Sequence, residues 1–269
     1  MVPKESLTLQ SEKKINPDSA LDSAPVDESP HTKPLASEPF ASGPPIRSEV
    51  DEKVESFFSI KALFSFLRFD GTDAVTGASS VFLSDLNSGL ALGWHQRWSP
   101  RIESHLSIDY QTVRITPITG KTLDPSSLPL TGFGGGAQWQ VNEKWALDTS
   151  LSSGQEIFWK ATGFSALSPR SVPITRAIGG LAYNAVKVKH LKLQLTAGWG
   201  LAMETSSAEF SIKNGTLYRL GTELISEDSR QPISVGFGYE KLSQSTDISD
   251  HSRIMVTGFV KYYFGGIKN

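Results

Sequence analysis

LKLQLTAGWGLAMET, residues 191–205, carries the reading of this chain. Leu191, Leu193, Leu195, Ala197, Trp199, Leu201 and Met203 take the odd positions, while Lys192, Gln194, Thr196, Gly198, Gly200 and Glu204 take even ones. A strand sends successive side chains to opposite faces, so this segment is apolar on one side and polar on the other.

Nine further segments repeat the pattern, at about 57–70, 89–98, 102–116, 130–141, 145–160, 174–188, 216–225, 232–241 and 253–265. Most reach the roughly 9–11 residues that a tilted strand needs to cross a bilayer. The connections alternate in length. Ser99-Pro100-Arg101, Asn142-Glu143-Lys144, Lys189-His190 and Glu227–Arg230 are expected as tight turns. Asp70–Ser88, Pro117–Pro129, Ala161–Pro173, Ser206–Gly215 and Leu242–Ser252 are expected as long loops. Short turns on one side, long loops on the other and an even strand count describe an antiparallel up-and-down transmembrane β-barrel of about ten strands. A soluble lipocalin-like barrel or β-sandwich also uses period-two strands, but it turns the apolar face inward.

Register tests the assignment, because a one-residue slip would exchange the two faces of a strand. The first tight turn pairs Trp98 with Ile102, Trp94 with Leu106, Leu92 with Ile108 and Leu90 with Tyr110 outside. The same register sets Arg97 against Glu103 and His95 against His105 inside. The next pairs Trp139 with Leu147 outside and Gln138 with Asp148 inside. The eighth and ninth strands are expected to join Leu220 to Phe237, Tyr218 to Tyr239 and Gly221 to Gly236. Trp98, Trp145, Phe58, Tyr262 and Phe264 fall near strand ends, where amphipathic rings favour the headgroup zone.

The inward list is balanced: Lys61, Arg97, Arg176, Lys192, Arg219 and Lys261 against Glu103, Asp109, Asp148, Glu156, Glu204, Glu223 and Glu240. Opposite charges interleaved in this way can pair and largely plug the lumen, and porins with aqueous channels use about 16–18 strands. Gly132, Gly134, Gly136, Gly198, Gly200, Gly236 and Gly238 are expected to make room for long Arg, Lys and Glu side chains.

Composition sets the outer bounds. Mean hydropathy is −0.20 and cysteine is absent, so neither a transmembrane helix nor a disulfide or thiolate site is expected. A net charge of −2 gives no nucleic-acid footprint. Residues 1–55 differ from the rest, with 8 prolines, 1 glycine and 11 acidic against 6 basic side chains. Such a segment buries too little apolar surface to offset its ordering entropy, and it reads as a disordered periplasmic tail preceding a barrel over 56–269. No apolar stretch of signal-peptide type follows Met1.

Chemistry is sparse. His95 and His105 facing each other could form half a metal site or a proton relay, but two hydrogen-bonded lumen histidines account for them better. Asp250-His251-Ser252 has acid–base–hydroxyl types, yet adjacent residues do not point at one another as a triad requires. Gly132–Gly136 lacks the strand–turn–helix context of a phosphate loop. No catalytic, cofactor-binding or metal-binding residue is assigned.

Over residues 57–265 the chain resembles the eight- and ten-stranded outer-membrane β-barrels of Gram-negative bacteria. Val256–Phe264, with alternating apolar residues and a closing Phe264, resembles the C-terminal signal such proteins offer to the barrel-assembly machinery. It departs from that pattern by continuing through Gly265–Asn269. The acidic and Asp–His pairs of omptin-type proteases cannot be placed here residue by residue. The resemblance implies an outer-membrane location, membrane lipid and the assembly machinery as partners, and a periplasmic partner for the tail. It implies a structural or surface-contact role through the outer loops. The alternatives are an outer-membrane enzyme, acting on lipid A or peptide through Asp70, Glu156, Asp250 or His251, and a narrow solute channel.

Overall fold

The computed structural model describes residues 55–73, 77–117, 122–123, 126–161, 166–207, 211–226 and 233–268. The expected tail lies outside them except for Glu55, which already belongs to the first strand. Ten long strands form the wall: β1 (Glu55–Asp73), β2 (Asn87–Ser99), β3 (Ile102–Pro117), β4 (Ser127–Gln140), β5 (Trp145–Ala161), β6 (Ala166–Val188), β7 (Leu191–Ala202), β8 (Gly215–Ser226), β9 (Ile233–Ser245) and β10 (Ser249–Lys268). Each pairs antiparallel with the next, and β10 returns to β1 through Lys61↔Lys261 and Ser65↔Thr257. The closed ring leaves no unpaired edge, the one sheet arrangement that tolerates hydrocarbon on its outer face.

The apolar side chains point out. Ile108 is 66 % exposed, Phe133 65 %, Phe237 62 % and Trp199 53 %; Leu195 is exposed beside them and Leu193 is half-buried. A soluble barrel would bury these residues. Trp98, Trp139, Trp145, Phe58, Tyr262 and Phe264 are all exposed toward the short-turn end, where an interfacial girdle belongs. An outward apolar band around a polar lumen makes this a transmembrane barrel of the outer-membrane type. Leu195→Arg should therefore cost about 2–4 kcal/mol in a bilayer, whereas the neighbouring inward Thr196→Arg should cost far less. Guanidinium unfolding in liposomes, followed by tryptophan fluorescence, measures both.

The registers of the first two hairpins match expectation from Leu90↔Tyr110 to Arg97↔Glu103 and from Gln138↔Asp148 through Trp139↔Leu147. A shift after Arg97 then sets Ser99, not Trp98, opposite Ile102. The β8–β9 pairing differs by two residues, with Leu220↔Tyr239, Tyr218↔Lys241 and Gly221↔Gly238. A two-residue slip keeps every side chain on its own face, so alternation alone cannot detect it. The expected turn Glu227–Arg230 lies outside the described residues.

On the side opposite the short turns, several expected loops are strand instead. β6 begins at Ala166 rather than Ile174, and β9 and β10 are joined only by Thr246–Ile248, with Thr246 N–H donating to Ser249 O at 2.7 Å. Ser79–Ser84 folds back to pair with β1 and the end of β3. β7 stops at Ala202, and Thr205–Ser206 pairs with Ser211–Ile212 just beyond it. Strands that outrun the bilayer go on satisfying their backbone groups in pairs.

One hairpin leaves the wall. β4 pairs with β5 only as far as Gly132↔Gly154, and β6 joins β7 only from Arg176 onward. β5 and β6 nevertheless stay paired from Gln155↔Pro173 to Ala161↔Leu167. Released from β4 and β7, this hairpin takes Thr122–Leu123 as a parallel partner at Ala166–Leu167 and folds across the outer mouth. Trp159 stacks on Phe82 at 4.1 Å and meets Phe69 of β1 edge-on at 5.6 Å. Those contacts belong to one apolar cluster, with Leu67, Val113, Ile115 and Ile157. Phe158, on the other face, packs with Val172, Ile174, Ile178, Ala202, Ile212, Leu217 and Leu242. Both faces of the hairpin are thus buried against opposite walls.

Candidate functional site

Beneath the hairpin lies a cavity of about 1350 Å³. Its lining runs from Glu156, Arg176 and Arg253 under the hairpin down to Glu55, Arg97, Lys192 and Gly265 at the short-turn end. Among the described residues the lumen is therefore roofed at the long-loop end, and its lining reaches down to the short-turn end. Strand alternation builds it, since each wall contributes every second residue.

The roof is an alternating chain of charges. Arg176 Nη2 donates to Glu156 Oε2 at 2.7 Å, and Arg253 Nε lies 2.9 Å from Glu156 Oε1 in an ion-pair contact too bent for a hydrogen bond. Arg253 Nη2 donates to Glu240 Oε1 at 2.5 Å, and Arg219 Nη2 donates to Glu240 Oε2 at 2.8 Å. Glu156, Glu240 and Arg253 are buried. Glu156 on β5 thereby ties the departing hairpin to β10 on the far side of the ring. Arg253 was not among the expected inward residues, although counting back by twos from Lys261 puts it there.

Lower in the lumen the groups divide into small clusters. Lys261 Nζ lies 3.1 Å from Glu223 Oε1, which also accepts from Ser234 Oγ at 2.5 Å. Lys61, directly opposite Lys261 in the register, holds its ammonium 4.9 Å over the Phe259 ring. Arg97 reaches both Glu103 and Glu55, at 3.4 and 3.5 Å. Asp109 and Asp148 make no hydrogen bond or ion pair among the described residues. Glu204 does not face the lumen: it lies exposed beyond the end of β7, where its N–H donates to Asn214 Oδ1 at 2.7 Å.

The inward glycines make room, but mostly for shorter groups than Arg, Lys or Glu. A Cβ at Gly132 would meet Asp109 Oδ1 at 2.7 Å, and one at Gly136 would meet the His105 ring at 2.8 Å. At Gly200 the neighbour is Ile178, and at Gly236 it is the Phe259 ring. Flattened groups against bare backbone leave a cavity at the centre, and the hairpin crosses its long-loop end.

The expected chemical candidates do not converge. His95 and His105 face each other with ring centroids 6.0 Å apart. His95 is already engaged, with Nε2 at 3.0 Å from Ser59 Oγ and Nδ1 at 3.2 Å from Glu103 Oε1. No cluster of three metal-binding side chains occurs among the described residues. Asp250, His251 and Ser252 lie on β10, not in a loop. Ser245 Oγ donates to Asp250 at 2.5 Å, and the His251 ring packs edge-on against Phe158 at 5.2 Å with Nε2 at 2.7 Å from Ser249 Oγ. Asp70 is held by Arg68 at 2.9 Å, and Glu156 is committed to the roof.

No protein-family model and no curated protein matches the chain. Among solved structures, it is similar to the outer membrane protease OmpT from Escherichia coli, at 10 % identity over 80 % of this chain and 98 % of that one, TM-score 0.45. The β domain of the Bordetella autotransporter BrkA matches at 12 % identity over 78 % and 99 %, TM-score 0.42. Ail, the attachment invasion locus protein of Yersinia pestis, matches at 11 % identity over 78 % and 98 %, TM-score 0.32. No activity or residue role is carried over from any of them.

Proposed function

We propose that this chain is a closed, non-conducting barrel that serves the outer membrane as a structural and surface-contact protein. The observation that carries the reading is the β5–β6 hairpin, which spans the outer mouth with apolar packing on both faces and an ion-pair layer beneath it. Ions crossing such a seal would have to displace close-packed rings and break buried ion pairs. The paired strands that outrun the bilayer present a rigid outer rim, the kind of place where binding residues sit on a scaffold. Membrane lipid covers the belt, and β10 offers its alternating terminal strand to the barrel-assembly machinery. Residues 1–54, rich in proline and acidic side chains, are the segment for which a periplasmic partner is proposed.

Planar-bilayer recording of the intact chain tests the closed state. The expected trace shows no discrete conductance steps under conditions where a porin control conducts. Reproducible single-channel steps from the unaltered protein would end this reading.

A further inference from the structure

One register row of the lumen wall has an unusual composition. Asp148 on β5 pairs with Gly180 on β6, Gly180 with Gly198 on β7, and Gly198 with Arg219 on β8. All four line the cavity. An acid and a base therefore stand at the two ends of a floor that carries no side chains. Three interstrand spacings separate their strands, about 14 Å along the wall. The wall itself demands the glycines: a Cβ at Gly180 would lie 2.9 Å from Ala197 O, and one at Gly198 would lie 3.2 Å from Ile178 Cγ2. The consequence is a low floor between two charges, bare at Gly180 and bordered by the Ile178 side chain at Gly198.

Neither end is used up. The Asp148 carboxylate has no hydrogen-bond or ion-pair partner among the described residues. Glu240 accepts from two of the nitrogens of Arg219, Nε and Nη2, yet the side chain keeps 46 % of its surface accessible. A guanidinium carries five N–H donors, so several remain for another acceptor. Elsewhere in the lumen, opposite charges mostly meet each other; here they are held apart across bare backbone. Charges set at a fixed separation favour a molecule carrying the complementary pair, because each end then gains a charge-assisted hydrogen bond.

We propose that this row binds a short peptide with free termini, entering from the periplasm. Its ammonium lies at Asp148, its carboxylate at the Arg219 fork, and its extended backbone over Gly180 and Gly198. An extended tripeptide spans about 10 Å, and the inward reach of the Asp and Arg side chains closes the rest of the gap. Bidentate recognition of a carboxylate is what arginine's planar fork does best. The inference goes beyond the closed-barrel reading and does not depend on its test: a conductance result leaves it standing, and failure of peptide binding leaves the closed mouth intact.

The test is isothermal titration calorimetry of the full chain folded in detergent micelles, with trialanine as the probe. N-acetyl-trialanine amide, which lacks both terminal charges, and spermidine, which offers only cations, are the comparisons. Saturable binding of trialanine is expected, with both comparison molecules at least about tenfold weaker, since a lost charged hydrogen bond is worth about a decade in affinity. Asp148→Asn should weaken trialanine by about tenfold while keeping heat-modifiable migration on a denaturing gel, because that carboxylate anchors nothing in the wall. Arg219→Gln should weaken it likewise; should that variant fold poorly, Asp148→Asn still decides. No saturable heat with trialanine, equal binding of the capped peptide or of spermidine, or undiminished binding by Asp148→Asn would each overturn the proposal.

Discussion

Arg253→Ala destabilises the folded barrel by about 3 kcal/mol, because two buried carboxylates, Glu156 and Glu240, each lose one of their two cationic partners. Arg253 is 6 % exposed and lies between two carboxylates that are themselves buried, Glu156 and Glu240. Taking it away leaves Arg176 on Glu156 and Arg219 on Glu240 but breaks the link between β5 and β10. The loss is read as a lower guanidinium midpoint in liposomes and a lower temperature for the shift from folded to unfolded gel mobility. Arg97→Ala sets the scale at the other end of the lumen. Its side chain is 47 % exposed, so removing it should cost less than about 1 kcal/mol. Equal effects at Arg253 and Arg97 would mean that the roof is not held electrostatically.

Much of the wall was legible because a barrel in lipid imposes one rule on every residue. Leu195 and Thr196 differ by one position and face opposite solvents, so alternation fixes faces, and tight turns such as Asn142–Lys144 fix pairing. Where the connection is longer, that logic weakens: Leu220↔Tyr239 and Leu220↔Phe237 place every side chain on the same face, and only the connection between β8 and β9 distinguishes them. The charged lumen followed from the same periodicity, but its fill did not. Which glycine shelters a ring, and whether Arg253 meets Glu156 across the barrel, depend on side chains converging from strands far apart in sequence. The roof had a signal that alternation reads as noise. Ile157, Phe158 and Trp159 are three consecutive apolar residues, and a strand with one face in water or lipid has no use for both faces being apolar. A continuous apolar run marks a strand buried on both sides. In a barrel, the place with protein on both sides is the interior.

That placement yields the second large effect. Replacing residues 157–171 with a short Gly-Asn-Gly turn should convert a silent barrel into a conducting one. The wall below does not need the hairpin, because the ring is complete through Gly132↔Gly154 and Gly154↔Ile174, and the cavity lining already reaches the short-turn end. Removing the hairpin takes away the apolar rings at the mouth and leaves polar walls lined by Arg219, Glu240 and Arg253, which ions can pass. Discrete steps in a planar bilayer, absent from the intact protein, are the expected result. Trp159→Ala separates packing from occlusion. It removes the ring that touches Phe69 and Phe82 and should cost about 3–5 kcal/mol, as large-to-small core changes do, while the rest of the hairpin still blocks the mouth. A hairpin-replaced barrel that migrates as folded, inserts into the bilayer and stays silent would show that the seal lies elsewhere. The ion-pair layer beneath would then be the barrier, and Arg253→Ala the variant that opens it.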